Sequence, residues 1–360
     1  MKQKKKIISL LLAVLMLAAT LVSCGGTGKG GATETQTELT TSEETTAPAE
    51  TAAPDLSKSA KGSHYPLTIS TFNFELEPVE YTFEQMPERV ITFWTGPMET
   101  MLALGLGDKI VCAVGVEKEE ILEELWDEFD KVAEGAEYNE FVDTNAAMSR
   151  EYAIMLQPDF IFGWKSSFSE KTIGDVDYWH ENNIGTYMSL NSNDVSENRT
   201  IENEYKDILT IGKIFDVEDK AQEIVDEISA EVERVTTQIK GQEKKTVMII
   251  EFLGDRIWSY DKTMLAGNMV TAMGGELLET EKDIGAEDIL TQDPDVIFLI
   301  SSSDDAVSEF VNDPAYASLS AIAGEDVYSI PLSEVYNSGV RTINGLNMLG
   351  SAMYPELYSE

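Results

Sequence analysis

Cysteine and histidine are scarce in this sequence: its 360 residues hold two of each. Two cysteines exclude the disulfide framework that staples small secreted folds. Two histidines, His64 and His180, both expected to face solvent, give no cluster for a bare transition-metal centre. Basic residues are also few, 26 Lys and Arg against 65 Asp and Glu, for a net charge of −39. So acidic a surface repels nucleic acid. Phosphate loops, nucleophile elbows and Cys–His pairs are missing. The many acids are scattered, so none pair as an acid–base couple. These absences point to a binding protein with no cofactor of its own, rather than an enzyme.

What is present begins with targeting. A basic "MKQKKK" precedes the 17-residue apolar run from Ile7 to Ser23. The run is short for a membrane span, which needs about 20 residues, and fits a secretory signal. Cys24 follows at once, and "LVSC" resembles the lipobox of bacterial lipoproteins. That resemblance implies removal of residues 1–23 and a lipid on Cys24; an ordinary signal with a chance cysteine is the alternative. Residues 24–62 are rich in Thr, Gly, Ala, Glu and Pro and lack aromatics. They cannot bury enough apolar surface to offset ordering entropy and are expected to be a disordered tether. Repulsion between an acidic chain and anionic lipid means that the acyl chains must hold it to the membrane.

Beyond residue 62 the patterning is that of an α/β fold. "LTISTFNFELEPVEYTF" alternates as a hairpin. "RVITFW", the helical "GPMETMLALGLG" and "KIVCAVG" then give strand, helix and strand, the signature of a parallel sheet covered by helices; Cys112 in the third piece is expected to be a small buried hydrophobe. Over 218–240, uninterrupted by Pro or Gly, Ala221, Ile224, Val225, Ile228, Val232, Val235 and Ile239 fall on one helical stripe. The strand–helix alternation then restarts with "KTVMIIEF". Two Rossmann-like lobes, 63–217 and 242–360, with central parallel-type sheets are expected, joined by one long rigid helix over 218–241, with a ligand cleft between them.

Two frames repeat across the lobes. In "SREYAIMLQPDFIFG", Glu151 lies seven residues before Pro158. In "GAEDILTQDPDVIFL", Glu287 lies seven residues before Pro294. A carboxylate in a first helical turn is favoured by the macrodipole in any protein. The matched offset adds a second reading, two equivalent acids suited to a partner with two equivalent subunits. With "PERVITFWTGPMETMLALGLGDKIV", "IGKIFDVEDKAQEIVDEI", "MGGELL", "DPDVIFLI" and "MYPELY", the order of pieces over roughly residues 64–358 resembles the ABC-transporter solute-binding proteins of the helical-backbone class, which serve iron–siderophores, haem and cobalamin. The resemblance implies that Glu151 and Glu287 dock arginines of an ABC permease dimer. It also implies an extracytoplasmic, lipid-anchored monomer that carries a metal chelate. The sequence departs from the family in its first strand–helix turn, "FWTGPME", where a Ser or Pro-Ser-Ala turn is usual.

Ligands of open α/β sheets sit beyond the carboxyl ends of the strands. The candidates are Trp94, Thr95, Trp164 and Lys165 in the first lobe, and Arg256, Trp258, Tyr260, Ser302, Tyr336 and Arg341 in the second. Flat aromatics with cationic neighbours suit a bulky, partly anionic chelate. A ferric siderophore is expected, with cobalamin or haem as alternatives; haem would draw an axial ligand from Tyr260, Tyr336 or Met98. A ligand sensor or an extracytoplasmic chelatase on the same fold are the readings of a different class.

Overall fold

The computed structural model describes residues 64–135, 148–192, 195–303 and 305–359. The expected signal and tether, and Cys24 with them, lie outside the described residues.

The first strands, β1 (Leu67–Phe72) and β2 (Pro78–Phe83), pair antiparallel in register from Leu67↔Phe83 to Phe72↔Pro78. The hairpin lies against β6 (Gly185–Met188), the last of four parallel strands ordered β4-β3-β5-β6. The others are β3 (Val90–Phe93), β4 (Ile110–Val114) and β5 (Phe160–Gly163). The second sheet contains β7 (Thr246–Leu253), β8 (Arg256–Ser259), β9 (Glu276–Leu277), β10 (Asp283–Ile284), β11 (Val296–Ile300) and β12 (Val327–Ile330). Its order is β10-β8-β7-β11-β12, with β9 beside the start of β7.

The inner strands are apolar on both faces because both faces are covered. Phe160 and Phe162 of β5 enter one core and Ile161 another. Val247 and Ile249 of β7 enter the same core as Phe160, whereas Met248 and Ile250 enter a third. One apolar core therefore runs through both sheets' inner faces, and each outer face has its own. Cys112 is buried, and burial pushes its thiol up to about 11.

The second sheet is mixed where a parallel type was expected. Leu253 and Arg256 are Cα partners across the two-residue turn Gly254–Asp255, with Gly254 at φ 65°. This is the short turn that closes a hairpin, so β8 runs back along β7 and β10 pairs antiparallel with it.

The helix Glu218–Gln238 is 21 residues long, about 32 Å at 1.5 Å per residue. It lies against Ile201–Ile214 of the first lobe and Thr342–Met353 of the second. Ala221, Val225, Ile228 and Val235 are buried, and Ile224, Val232 and Ile239 flank them. A Cβ on Gly212 would lie 2.4 Å from the Ala221 Cβ, so only glycine permits this crossing. Tyr358 closes the far end by donating to the Glu231 carboxylate at 2.5 Å.

The two histidines are not solvent-facing. His180 is half-buried with Nε2 2.9 Å from the Thr186 hydroxyl, and burial pushes its pKa down. His64 caps a helix end, because its Nε2 lies 2.7 Å from the Lys213 carbonyl.

Candidate ligand cleft between the lobes

The turn after β3 sets the site. Trp94 precedes the helix Thr95–Ala103 with φ 73° and ψ 162°. Positive φ in so bulky a residue is a strained backbone, costing of the order of 1–3 kcal/mol. Its N–H donates to the Val114 carbonyl at 2.8 Å. Its ring lies over Gly115, where a Cβ would sit 3.2 Å from it. The indole stacks on Trp164 at the end of β5, with centroids 5.1 Å apart and planes at 26°. Across the cleft Tyr336 meets Trp164 at 5.8 Å. The Arg199 guanidinium lies 4.6 Å over the Tyr336 ring.

These rings line a cavity of about 220 Å³ with Thr95, Gly96, Gly115 and Glu120 on one side and Leu332, Ser333, Asn337 and Arg341 on the other. The lobes approach closely here, since a Cβ on Gly96 would lie 2.8 Å from the Asn337 carbonyl oxygen. Three buried donors of the lining, Trp94 Nε1, Trp164 Nε1 and Asn337 Nδ2, have no hydrogen-bond partner among the described residues. A buried unpaired donor costs about 1–3 kcal/mol, so a ligand rich in acceptors would satisfy what the protein leaves open.

Arg341 was expected to meet ligand, yet its guanidinium is largely committed. Nε and Nη2 donate to Glu99 at 2.5 and 2.7 Å, Nη1 donates to Glu334 at 2.6 Å, and Nη2 also donates to the Glu120 carbonyl. Leu122 N–H completes the set on Glu99 at 2.7 Å. A second buried acid, Glu204, accepts from the backbone of Ser338 and Gly339 at 3.0 and 2.8 Å. The two contacts fasten the 338–341 turn of the second lobe to helices of the first. Burial holds both Glu99 and Glu204 above the usual carboxylate range, against the pull of their donors.

Trp94, Thr95, Trp164, Tyr336 and Arg341 thus come together, and the five other candidates stand apart from this cavity. Lys165 turns its ammonium over Phe74 at 5.2 Å. Arg256 lies on β8, held by both oxygens of Asp283 at 2.8 and 2.6 Å, and the ring of Trp258 on the same strand is approached by Arg256 and Lys282. The two-residue turn that reverses the chain after β7 is what carries these two out of the cleft. Ser302 is exposed beside a separate hollow of about 380 Å³ lined by Phe252, Phe310 and Tyr316. Tyr260 is buried and donates to Glu251 at 2.7 Å, and burial raises its phenol pKa well above the ordinary value. Met98 is in the core beneath Thr92. Of the three haem-ligand candidates, only Tyr336 lines the cavity.

Arg199, Asn337 and Glu99 were missed by sequence reasoning. Asn337 and Gly339 carry positive φ, and "NSG" is the local signal of such a turn. Arg199 and Glu99 gave no signal, because their partners are distant in the chain.

Glu151 and Glu287 are both exposed, each in the first turn of a short helix, Arg150–Met155 and Ala286–Gln292. Ser149 caps the first by accepting from Tyr152 N–H, and Asp288 caps the second by accepting from Gly285 N–H. Capping is thus supplied by other side chains.

Residues 90–333 match the family model described as periplasmic binding protein. An uncharacterised ABC transporter substrate-binding lipoprotein of Bacillus subtilis is 23% identical over 304 residues, covering 82% of this chain and 88% of that one. A crystal structure of a periplasmic binding protein from Veillonella parvula superposes with a TM-score of 0.75 at 28% identity, covering 82% of this chain and 94% of that one. An ABC-type Fe3+-hydroxamate transport protein from Saccharomonospora viridis shares the fold, with a TM-score of 0.61 at 24% identity over 81% and 100% of the two chains. With its matched region covering more than half of its length, the chain belongs to the periplasmic binding protein family.

Proposed function

We propose that this protein is a lipid-anchored, extracytoplasmic solute-binding protein that captures a ferric siderophore between its lobes and hands it to an ABC permease. The observation that carries the reading is the box of Trp94, Trp164 and Tyr336, whose unpaired indole donors await acceptors. A ferric siderophore offers both flat or apolar arms for the rings and anionic oxygens for the donors. The Fe3+-hydroxamate protein of the same fold supports the class of cargo, and the lipoprotein relative supports the transport role. Cobalamin and haem remain second cargoes, with Tyr336 the haem-ligand candidate that lines the cavity.

The cavity of about 220 Å³ is below the roughly 300–1,000 Å³ of ligand pockets. Binding should therefore move the indoles or part the lobes. Titrating the protein with ferric hydroxamate and catecholate siderophores, cyanocobalamin and haemin, read by tryptophan fluorescence and native mass spectrometry, tests the reading. One siderophore class should quench at one equivalent. Trp164→Ala should weaken that ligand by about 1–3 kcal/mol, the range of a buried aromatic anchor. Saturable binding of none of the panel, or unchanged affinity in both Trp94→Ala and Trp164→Ala, would refute the assignment.

The anchor has its own test. Cys24→Ala should shift the protein from the membrane fraction to the medium, since so acidic a chain has no affinity for anionic lipid. Retention of the variant on membranes would refute lipidation at Cys24.

A further inference from the structure

Far from the cleft in sequence, His64 stands just before β1, while Asp216 and Glu218 lie where the helix Ile201–Ile214 turns into the long helix. The fold brings them together. His64 Nδ1 is 3.0 Å from an Asp216 oxygen and 3.7 Å from a Glu218 oxygen. The three ligand atoms all lie within 4.8 Å of one another. The other ring nitrogen, Nε2, is 2.7 Å from the Lys213 carbonyl oxygen. A carbonyl only accepts, so Nε2 carries the hydrogen and donates it. In the neutral ring Nδ1 is then a lone pair, and three acceptors converge with no donor among them. A donor or a cation must lie between them: a second ring proton, a water or a metal ion.

We infer that His64, Asp216 and Glu218 form a binding site for one divalent transition-metal ion of the zinc type. A proton on Nδ1 would serve the Asp216 oxygen at 3.0 Å but leave Glu218, at 3.7 Å, outside hydrogen-bonding distance. A metal serves both. Bonds of about 2.1 Å in a tetrahedron put its ligands about 3.4 Å apart, and the two separations from His64 Nδ1, 3.0 and 3.7 Å, bracket that value. A histidine that ligates through one nitrogen usually donates its other N–H to a carbonyl or carboxylate, as His64 does. Imidazole and carboxylate together suit zinc and its neighbours rather than calcium. Asp216 and Glu218 remain half-exposed, so water can complete the shell. The ion would pin the start of the described fold to the first turn of the inter-lobe helix. It belongs to the protein and is separate from any metal in the cargo.

The full chain, stripped with EDTA and titrated with zinc chloride by calorimetry, should bind one equivalent saturably, with a rise in melting temperature that stops at that equivalent. His64→Ala, Asp216→Asn and Glu218→Gln should each weaken binding about tenfold or more and abolish the rise. The two carboxylate variants change exposed side chains and should fold normally, as circular dichroism will show. Absence of saturable binding would mean that a second proton on His64 or a bridging water serves the carboxylates, and the site would fall. Equal affinity in the wild type and all three variants would show zinc scattered on other carboxylates, which overturns it as well.

Discussion

Arg341→Met should lower stability by about 3–5 kcal/mol at neutral pH, the scale for removing one partner of a buried ion pair. Glu99 is 0% exposed and Glu334 7%, so neither charge can turn to water once the guanidinium has gone. The loss should depend on pH. Burial already raises the Glu99 pKa, while the hydrogen bonds and charge of Arg341 pull it down, and Glu334 adds to the rise. Without Arg341 only the Leu122 N–H opposes the rise. A carboxyl whose folded pKa exceeds its unfolded value of about 4.3 takes up a proton on folding. Its contribution is full below that value and is lost as pH climbs through the raised one. The gap between variant and wild type should therefore be larger at pH 7.5 than at pH 5 in urea unfolding. The double variant Glu99→Gln with Arg341→Met should regain part of the loss and flatten the pH dependence. A deficit under 1 kcal/mol, or one equal at both pH values, would show that the clasp contributes little.

That clasp also marks what sequence can and cannot tell. The strands "VITF", "FIFG" and "VIFLI" are legible because both sheet faces are covered, which leaves no exposed position to interrupt the runs. The long helix is legible from a stripe of seven apolar residues. Trp94, Trp164 and Tyr336 are legible as residues just beyond strand ends, where α/β ligands sit. Arg341 is a different case. Its residue type suggested an anion site, but its partner Glu99 is 242 residues away, and no local pattern reports such a pairing. Arg256 and Trp258 misled for a local reason: Gly254–Asp255 reverses the chain within two residues, turning an expected cleft loop into an antiparallel strand. His64 and His180 looked exposed because their neighbours in sequence are polar, while the groups that enclose them come from other segments.

The matched glutamates give the largest expected effect on transport. Reversing both, Glu151→Lys with Glu287→Lys, should cut cellular uptake of the cargo by an order of magnitude or more, yet leave cargo affinity unchanged. Neither residue lines the cleft cavity, so capture does not involve them. Each is exposed in the first turn of a helix whose cap is supplied by another side chain. The helices are short, and a lysine there costs about 0.3–1 kcal/mol through the dipole, too little to unfold the protein. Beside them the surface is unusually apolar: Ile154 is 43% and Met155 74% exposed next to Glu151, and Leu290 is 37% exposed next to Glu287. Residues three and four positions on share the helix face, so each acid carries an apolar shoulder. A carboxylate with such a shoulder suits a protein partner that brings a cation and an apolar rim. Under the proposed docking, charge reversal would turn attraction into repulsion on both lobes, and repulsive contacts discriminate more sharply than lost attractive ones. One reversal alone should do less, since the other lobe still engages. If the acids serve only the helix dipole, melting temperature will fall slightly and uptake will follow the amount of folded protein. Melting temperature, cargo affinity and uptake measured on the same three variants separate the two. Wild-type uptake by a folded double variant would end the docking assignment.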